Sequence, residues 1–391
     1  MKKDRIAERL QETIVVPDIV QQRADLVLAQ IRKESIAERE GGKQMRYAGR
    51  RMWAAVAAAV LVLGLGTVAC AVYLHWSRGM EEWFDATPEQ KEYLEETRIT
   101  VPMNDSVTQE GVTVTAQQRI VDARFVYLSF RIDGYRVEDG IEPCFEYVDT
   151  TVNGEPVNIM GGHFFDNLHR DADGNITYTD GTTAKETADG SIIGKYVGED
   201  GSMEYLMTLM TADGRSLIGQ PLHIEFRNLG IVSKAAYTPD IEAAWTFDFT
   251  LEASEQVRSI ELSQPVGDSG ATITKVEISP ISLYAEFDFP MQTVPIEGID
   301  QNGNTIQSTT FAEVPGLVGV RLKDGTRLTG IMQGGSDGYD GDDQDTYIVS
   351  RGIDRIIDPA EVDALLFMKE GAETNEEYYN MPEEKLYIVT F

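Results

Sequence analysis

Residues 52–74, a run of 23 without one charged side chain, constrain this chain more than any other feature. The run is mostly Ala, Val, Leu and Gly. As a helix rising about 1.5 Å per residue it would reach roughly 35 Å, enough to cross a hydrocarbon core of about 30 Å. A helix buried in a soluble core rarely runs so long without a polar stripe. Arg50 and Arg51 directly precede the run, and Trp53, Tyr73 and Trp76 lie at its ends, where amphipathic rings favour the headgroup layer. The sequence therefore predicts one transmembrane helix over 52–74.

Charge sets its direction. Residues 1–51 hold twelve Lys/Arg against eight Asp/Glu, a net of +4, so the rest of a chain at −31 carries −35. Arg46, Arg50 and Arg51 flank one side of the run, and Arg78 stands alone on the other, ahead of Glu81 and Glu82. The positive-inside rule then keeps 1–51 cytoplasmic and exports the acidic remainder, placing the protein in the cell membrane. Some fifty polar residues before the run do not suit a cleaved signal peptide. Thr67-Val68-Ala69-Cys70 only loosely matches a lipidation site, because Thr67 stands where a branched apolar residue is needed. An exterior at −35 argues against direct nucleic-acid binding and against an anionic lipid surface as its partner. Cys144 is the one cysteine beyond the run, so 79–391 must be held by its cores without an internal disulfide.

In the first fifty residues, 4–13 reads as a short helix, interrupted at Val15-Val16-Pro17 because proline disfavours helix in the residue before it. A second helix starts at Pro17, with Asp18 at the positive end of its dipole. Val20, Ala24, Val27 and Ile31 recur on one face, Leu28 widens the stripe, and Gly41-Gly42 ends it. Helices this short cannot form a core alone, so the stripe is expected to pack against a partner protein, a second copy or the membrane surface. Glu34, Glu38 and Glu40 make it a poor membrane-surface helix, since those carry a uniformly basic polar face. Gly66 and Cys70 form a small-xxx-small pair that would suit packing of two spans.

Beyond the span, Thr87-Pro88-Glu89-Gln90 is a strong helix start, predicting a short helix to about Glu96 within a stalk over 79–100. The texture then turns to strands. Val126, Leu128, Phe130 and Ile132 alternate along one stretch, Trp245, Phe247, Phe249 and Leu251 along another, and Leu283, Ala285, Phe287 and Phe289 along a third. Hydrophobic-in, polar-out alternation belongs to antiparallel sheets with one packed face, hence to β-sandwiches. A weak repeat supports two of them: Gly111-Val-Thr-Val-Thr before the strand at Phe125 parallels Gly270-Ala-Thr-Ile-Thr before the strand at Leu283. The glycines are 159 residues apart, about one domain, which divides the exterior near 252–255 into sandwiches at 101–253 and 254–391. Asn153-Gly154 and Asp324-Gly325 predict hairpins, Asp213-Gly214 a turn, and the acidic, Gly-rich 334–345 a long loop.

Gly334-Gly335-Ser336-Asp337-Gly338 matches the G-x-S-x-G nucleophile elbow, but the acidic Tyr339-Asp340-Gly341-Asp342-Asp343 that follows cannot begin the helix that chemistry requires. His75, His163, His169 and His223 show no zinc spacing. Asp171, Asp173, Asn175 and Asp180 supply oxygen ligands at alternate positions and form a calcium candidate. Gly174 at loop position four and Thr182 at position twelve favour plain turns instead. With no nucleophile, paired base or metal set, the chain is expected to be neither an enzyme nor a cofactor binder.

Three features together resemble a known family. They are the short helical segment with Val16-Pro17 and a single span, the Gly111-Val-Thr-Val-Thr stretch followed by Asp122 and an alternating strand, and Ile273-Thr-Lys-Val-Glu-Ile-Ser-Pro-Ile-Ser-Leu283. This layout is similar to Gram-positive single-pass membrane proteins of domain of unknown function 4179, and the third stretch to the immunoglobulin-like domain that often follows it. The resemblance implies an anti-sigma-like regulator or envelope sensor, with an extracytoplasmic-function sigma factor as the partner of the Val20–Ile31 stripe and an extracellular ligand outside. Its cytoplasmic segment is shorter than a full anti-sigma domain and lacks the zinc-binding His/Cys motif of one class. The alternative is a structural or adhesive envelope protein whose N-terminus only anchors it.

Overall fold

The computed structural model describes residues 76–391 apart from 171–174, 188–189, 212–214, 234–235, 254–255, 300–304, 342 and 373. The expected span 52–74 and the stripe Val20, Ala24, Val27, Leu28 and Ile31 lie outside the described residues. Among those that are described, no helix is long and apolar enough to cross a membrane. The described chain is mainly β, and every strand pairing in it is antiparallel.

Two sheets share the first core. One runs in the order Thr100–Pro102, Val112–Val121, Phe125–Asp133, Met203–Met210, Asn158–Phe164, with Ser106–Gln109 also on Val112–Val121. The other runs Ala236–Thr250, Pro221–Ser233, Glu142–Val152, Glu155–Pro156. Val126, Leu128, Phe130 and Ile132 from the first meet Ile224, Phe226, Trp245 and Phe247 from the second. Phe130 and Phe226 pack edge to face at 4.8 Å, and the Trp245 indole N–H donates to the Val112 carbonyl at 3.1 Å across the sheets.

The second core repeats the plan. The order Arg258–Pro265, Thr272–Ile278, Ser282–Asp288, Asp343–Ile353, Met332–Asp340 faces Arg327–Thr329, Leu317–Leu322, Val362–Met368, Leu386–Thr390. Leu283, Ala285, Phe287 and Phe289 point into it, with Phe287 edge-on to Phe367 at 5.8 Å. The change from one core to the other falls between Ala253 and Ile260.

The repeat seen in the sequence extends to hydrogen-bond detail. Gly111 (φ +80°) and Gly270 (φ +85°) each supply the left-handed residue before the first strand of a hairpin. Each of those strands carries one bulge, at Ala116/Gln118 and at Ile273/Lys275. Each hairpin closes through a short turn, with Val121 opposite Val126 and Ile278 opposite Leu283.

Asn153 (φ +54°) and Gly154 (φ +79°) make the predicted two-residue hairpin, and Asp324-Gly325 turns between Leu317–Leu322 and Arg327–Thr329. Asp213-Gly214 lies outside the described residues.

Two expectations are corrected. Residues 334–345 are not a long loop: Met332–Asp340 pairs with Asp343–Ile353 as a hairpin. Gly335 (φ +142°) lets the backbones close there, because a Cβ would lie 2.1 Å from the Ser350 carbonyl oxygen, and Arg351 neutralises Asp337 at 2.8 Å. The segment 79–100 is not a free stalk. A missed helix, α1 (Arg78–Phe84), precedes the predicted α2 (Pro88–Glu96), and both are packed onto the sheets. The Ser77 hydroxyl accepts from the Met80 amide to start α1, and Thr87 with Gln90 forms the expected capping box of α2.

Phe287 is fully buried. Phe287→Ala should cost about 3–5 kcal/mol of stability, read as a lower midpoint in urea with little change in slope.

Candidate functional site

The two repeats meet turn to turn. In the first hairpin turn, Asp122 Oδ1 accepts from the amides of Arg124 (2.8 Å) and Phe125 (2.7 Å). In the equivalent turn of the second, Ser279 Oγ accepts from the amides of Ile281 (3.1 Å) and Ser282 (2.9 Å). The same backbone bond closes both: Asp122 N–H to Phe125 O at 3.0 Å, and Ser279 N–H to Ser282 O at 2.9 Å. Short side chains that bond the backbone two and three residues on are what stabilise such turns.

These two turn residues also touch each other. Asp122 Oδ2 accepts from the hydroxyls of both Ser279 and Ser282. Asp122, Ser279 and Ser282 are all buried. Four donors therefore converge on one carboxylate, which fills its acceptor sites. Losing any of them would leave a buried polar group unpaired, at about 1–3 kcal/mol.

Arg124 adds a second tie. Its guanidinium donates to Glu277 Oε2 at 2.6 and 3.2 Å and lies 3.4 Å above the Tyr284 ring. Lys275 reaches the other oxygen of Glu277 at 2.8 Å and Glu286 at 3.6 Å, and the Tyr284 hydroxyl donates to Glu286 at 2.8 Å. Burial opposes the charge on Glu277, but hydrogen bonds from Lys275 and Arg124 outweigh it and hold the carboxyl below its usual range. Bonding to Glu277 raises Lys275 in turn.

The helices close over this junction. Met80 and Phe84 from α1, Trp76 just before its cap, and Leu94 from α2 project into a core with Phe125, Tyr127, Leu206 and Met210. Ile281 and Ile356 of the second repeat complete it. Glu204, buried to 2 % exposure, accepts from the Gly79 amide at 3.1 and 3.2 Å. Burial pushes the Glu204 carboxyl up, against bonds from Ser77 and Gly79. Gln90 Nε2 donates to the Ile356 carbonyl at 2.7 Å, tying α2 to the second repeat.

The residues singled out for chemistry are scattered. Asp171 and Asp173 lie outside the described residues, Asn175 is exposed, and the Asp180 carboxylate accepts from the amide (2.8 Å) and hydroxyl (2.6 Å) of Thr182. His169 bonds Glu82 and His223 bonds Asp248, both at 2.7 Å, while His163 is held below its usual range by burial. Ser336 sits within the strand Met332–Asp340 rather than on an elbow. Among the described residues no group of His, Cys, Asp and Glu is arranged to hold a metal ion. What the junction can do is positional and acid–base: it fixes one repeat against the other and carries carboxylates whose proton affinities are shifted in opposite directions.

Those directions give signed predictions. Glu277, lowered in the fold, contributes stability that is present above its unfolded value of about 4.3 and is lost as pH falls through the folded one. Glu277→Gln should therefore be destabilised at pH 7 by roughly 3 kcal/mol, and the gap to wild type should close in urea melts run below about pH 4. Glu204, raised in the fold, behaves oppositely. Relative to Glu204→Gln, wild type should lose stability as pH rises from about 4.3 through the raised value.

No curated protein matches the chain. Among solved structures, the conserved domain protein from Bacillus anthracis aligns with 12% identity and a TM-score of 0.39, over 75% of this chain and 89% of that one. The CupB6 tip adhesin from Pseudomonas aeruginosa aligns with 9% identity and a TM-score of 0.12, over 68% and 91%. Neither likeness is close enough to bear on the fold. Residues 46–134, which contain α1, α2, Asp122 and Arg124, match the family model described as domain of unknown function (DUF4179).

Proposed function

We propose that this is a single-pass membrane protein whose exported β-repeats sense or bind an extracellular ligand and whose cytoplasmic helices bind an extracytoplasmic-function sigma factor. The two pairs of sheets are read as β-sandwiches of immunoglobulin-like kind, one over 101–253 and one over 254–391. The N-terminus is cytoplasmic and the repeats are outside.

The observation that carries this reading is the position of Trp76. It stands two residues past the apolar run and is already buried in the core shared by α1, α2 and both repeats. In the sequence, His75 alone separates an anchor at 52–74 from this buried residue. That is the covalent arrangement a transmembrane reporter requires, whereas an anchor-only protein gains nothing from it. The apolar stripe expected at Val20, Ala24, Val27, Leu28 and Ile31 would supply the surface on which the report is read.

Three measurements test it. Protease added to intact protoplasts should remove the C-terminal repeats and spare an N-terminal tag; a protected C-terminus would refute the topology. In a bacterial two-hybrid assay, residues 1–51 should bind the sigma factor encoded beside the gene. Replacing Val20, Val27 and Ile31 with Ser removes roughly 1.5–3 kcal/mol of burial each, which takes a nanomolar complex beyond detection. Deleting the gene should raise transcription from that sigma factor's promoters. Failure to bind together with unchanged promoters would leave the anchor-only reading.

A further inference from the structure

We propose that the helical pair α1–α2 and the Asp122 junction are two halves of one clamp, so that opening the joint between the repeats releases the helices, and freeing the helices loosens the joint. This deepens the sensor reading above and rests on it for its biological meaning. Its physical basis lies wholly within residues 76–391.

The link is geometric. Each junction turn delivers one side chain to the floor beneath the helices: Phe125 from the turn held by Asp122, and Ile281 from the turn held by Ser279. The residues that fix the repeats to each other therefore also build the surface on which Met80, Phe84 and Leu94 are buried. The helices span seven and nine residues. Helices of that length are marginal in water and draw their stability from packing. They touch both repeats: α1 holds the first through Gly79 and Glu204 and through Phe84 on Tyr127 at 5.0 Å, and α2 holds the second through Gln90 and the Ile356 carbonyl. Shifting one repeat against the other must break at least one of these contacts.

A coupling of this kind is reciprocal, because each element biases the same equilibrium. The clamp gives a relative movement of the repeats a defined consequence at Trp76, where the chain continues toward the apolar run.

Hydrogen–deuterium exchange of the full chain in detergent micelles tests both directions. In Ser279→Ala/Ser282→Ala, neither substituted side chain bonds to a helix. The amides of Met80–Phe84 and of residues 91–96 should nonetheless exchange at least tenfold faster, while Met203–Met210 and Val362–Met368 keep their protection. In Gln90→Ala, which cuts the α2 bond to Ile356, the amides of Phe125 and Ser282 should exchange severalfold faster. If the double serine variant loses protection throughout its strands, the milder Gln90→Ala still decides the matter. Unchanged helix protection in the double serine variant once the Phe125 amide exchanges faster, or unchanged Phe125 and Ser282 amides in Gln90→Ala once α2 exchanges faster, would overturn the clamp. Sigma-factor binding enters neither readout, so the clamp and the sigma-factor reading can fail independently.

Discussion

One buried carboxylate joins the two repeats of this protein turn to turn. Asp122 caps its own turn with one oxygen and takes two hydroxyls from the opposite repeat with the other. A buried polar group is costly unless every partner is present, and here every acceptor site is used. An apolar residue at 122 could fill the space but would leave the Arg124 and Phe125 amides and both serine hydroxyls to find other partners. Satisfied networks of this sort specify one arrangement over its competitors more than they add raw stability. The quasi-symmetry follows naturally: the same turn, duplicated, presents an acceptor in one copy and donors in the other, and the pair becomes complementary.

The strand Phe125–Asp133 carries much of the consequence. Val126, Leu128, Phe130 and Ile132 face the first core, while Phe125 and Tyr127 face the helices. It is a strand buried on both sides in a sheet whose outer face would otherwise be wet. The helices cover that face, and Gly79 permits their close approach, since a Cβ there would lie 2.5 Å from Leu206 Cδ1. Fold and candidate site are thus the same structure: the surface that receives α1 and α2 is also the surface where the repeats join.

Much of this was legible in the amino-acid sequence, for local reasons. Period-two alternation at Trp245 and Leu283 reported a strand with one buried face. Thr87-Pro88-Glu89-Gln90 reported α2 because a capping box is complete within four residues. Asp122, Ser279 and Ser282 all lie in the short stretches that carried the family resemblance, yet nothing local could show that they meet, because their contact spans 157 residues. The stalk was misjudged because α1 is brief and because Trp76, which packs with its Met80 and Phe84, lies where the aromatic belt of a span was expected. The hairpin at Met332–Asp340 was missed because Gly and Asp are strand-poor in general; here glycine allows a close backbone approach and arginine offsets the acid. The calcium string and the nucleophile-like Ser336 illustrate the converse, in which a motif matches by letters while its residues are committed elsewhere or, at Asp171 and Asp173, lie outside the described residues.

The central claim is that Asp122 ties the repeats together, beyond capping its own turn. A double-mutant cycle separates the two roles, because the local bonds to Arg124 and Phe125 are lost in Asp122→Ala whether or not the serines are present. Urea unfolding of the full chain would be compared for wild type, Asp122→Ala, Ser279→Ala/Ser282→Ala and the combined variant. The account predicts that the losses fail to add, with a coupling energy of about 1–3 kcal/mol. Additivity to within about 0.5 kcal/mol would contradict it and reduce Asp122 to a turn residue.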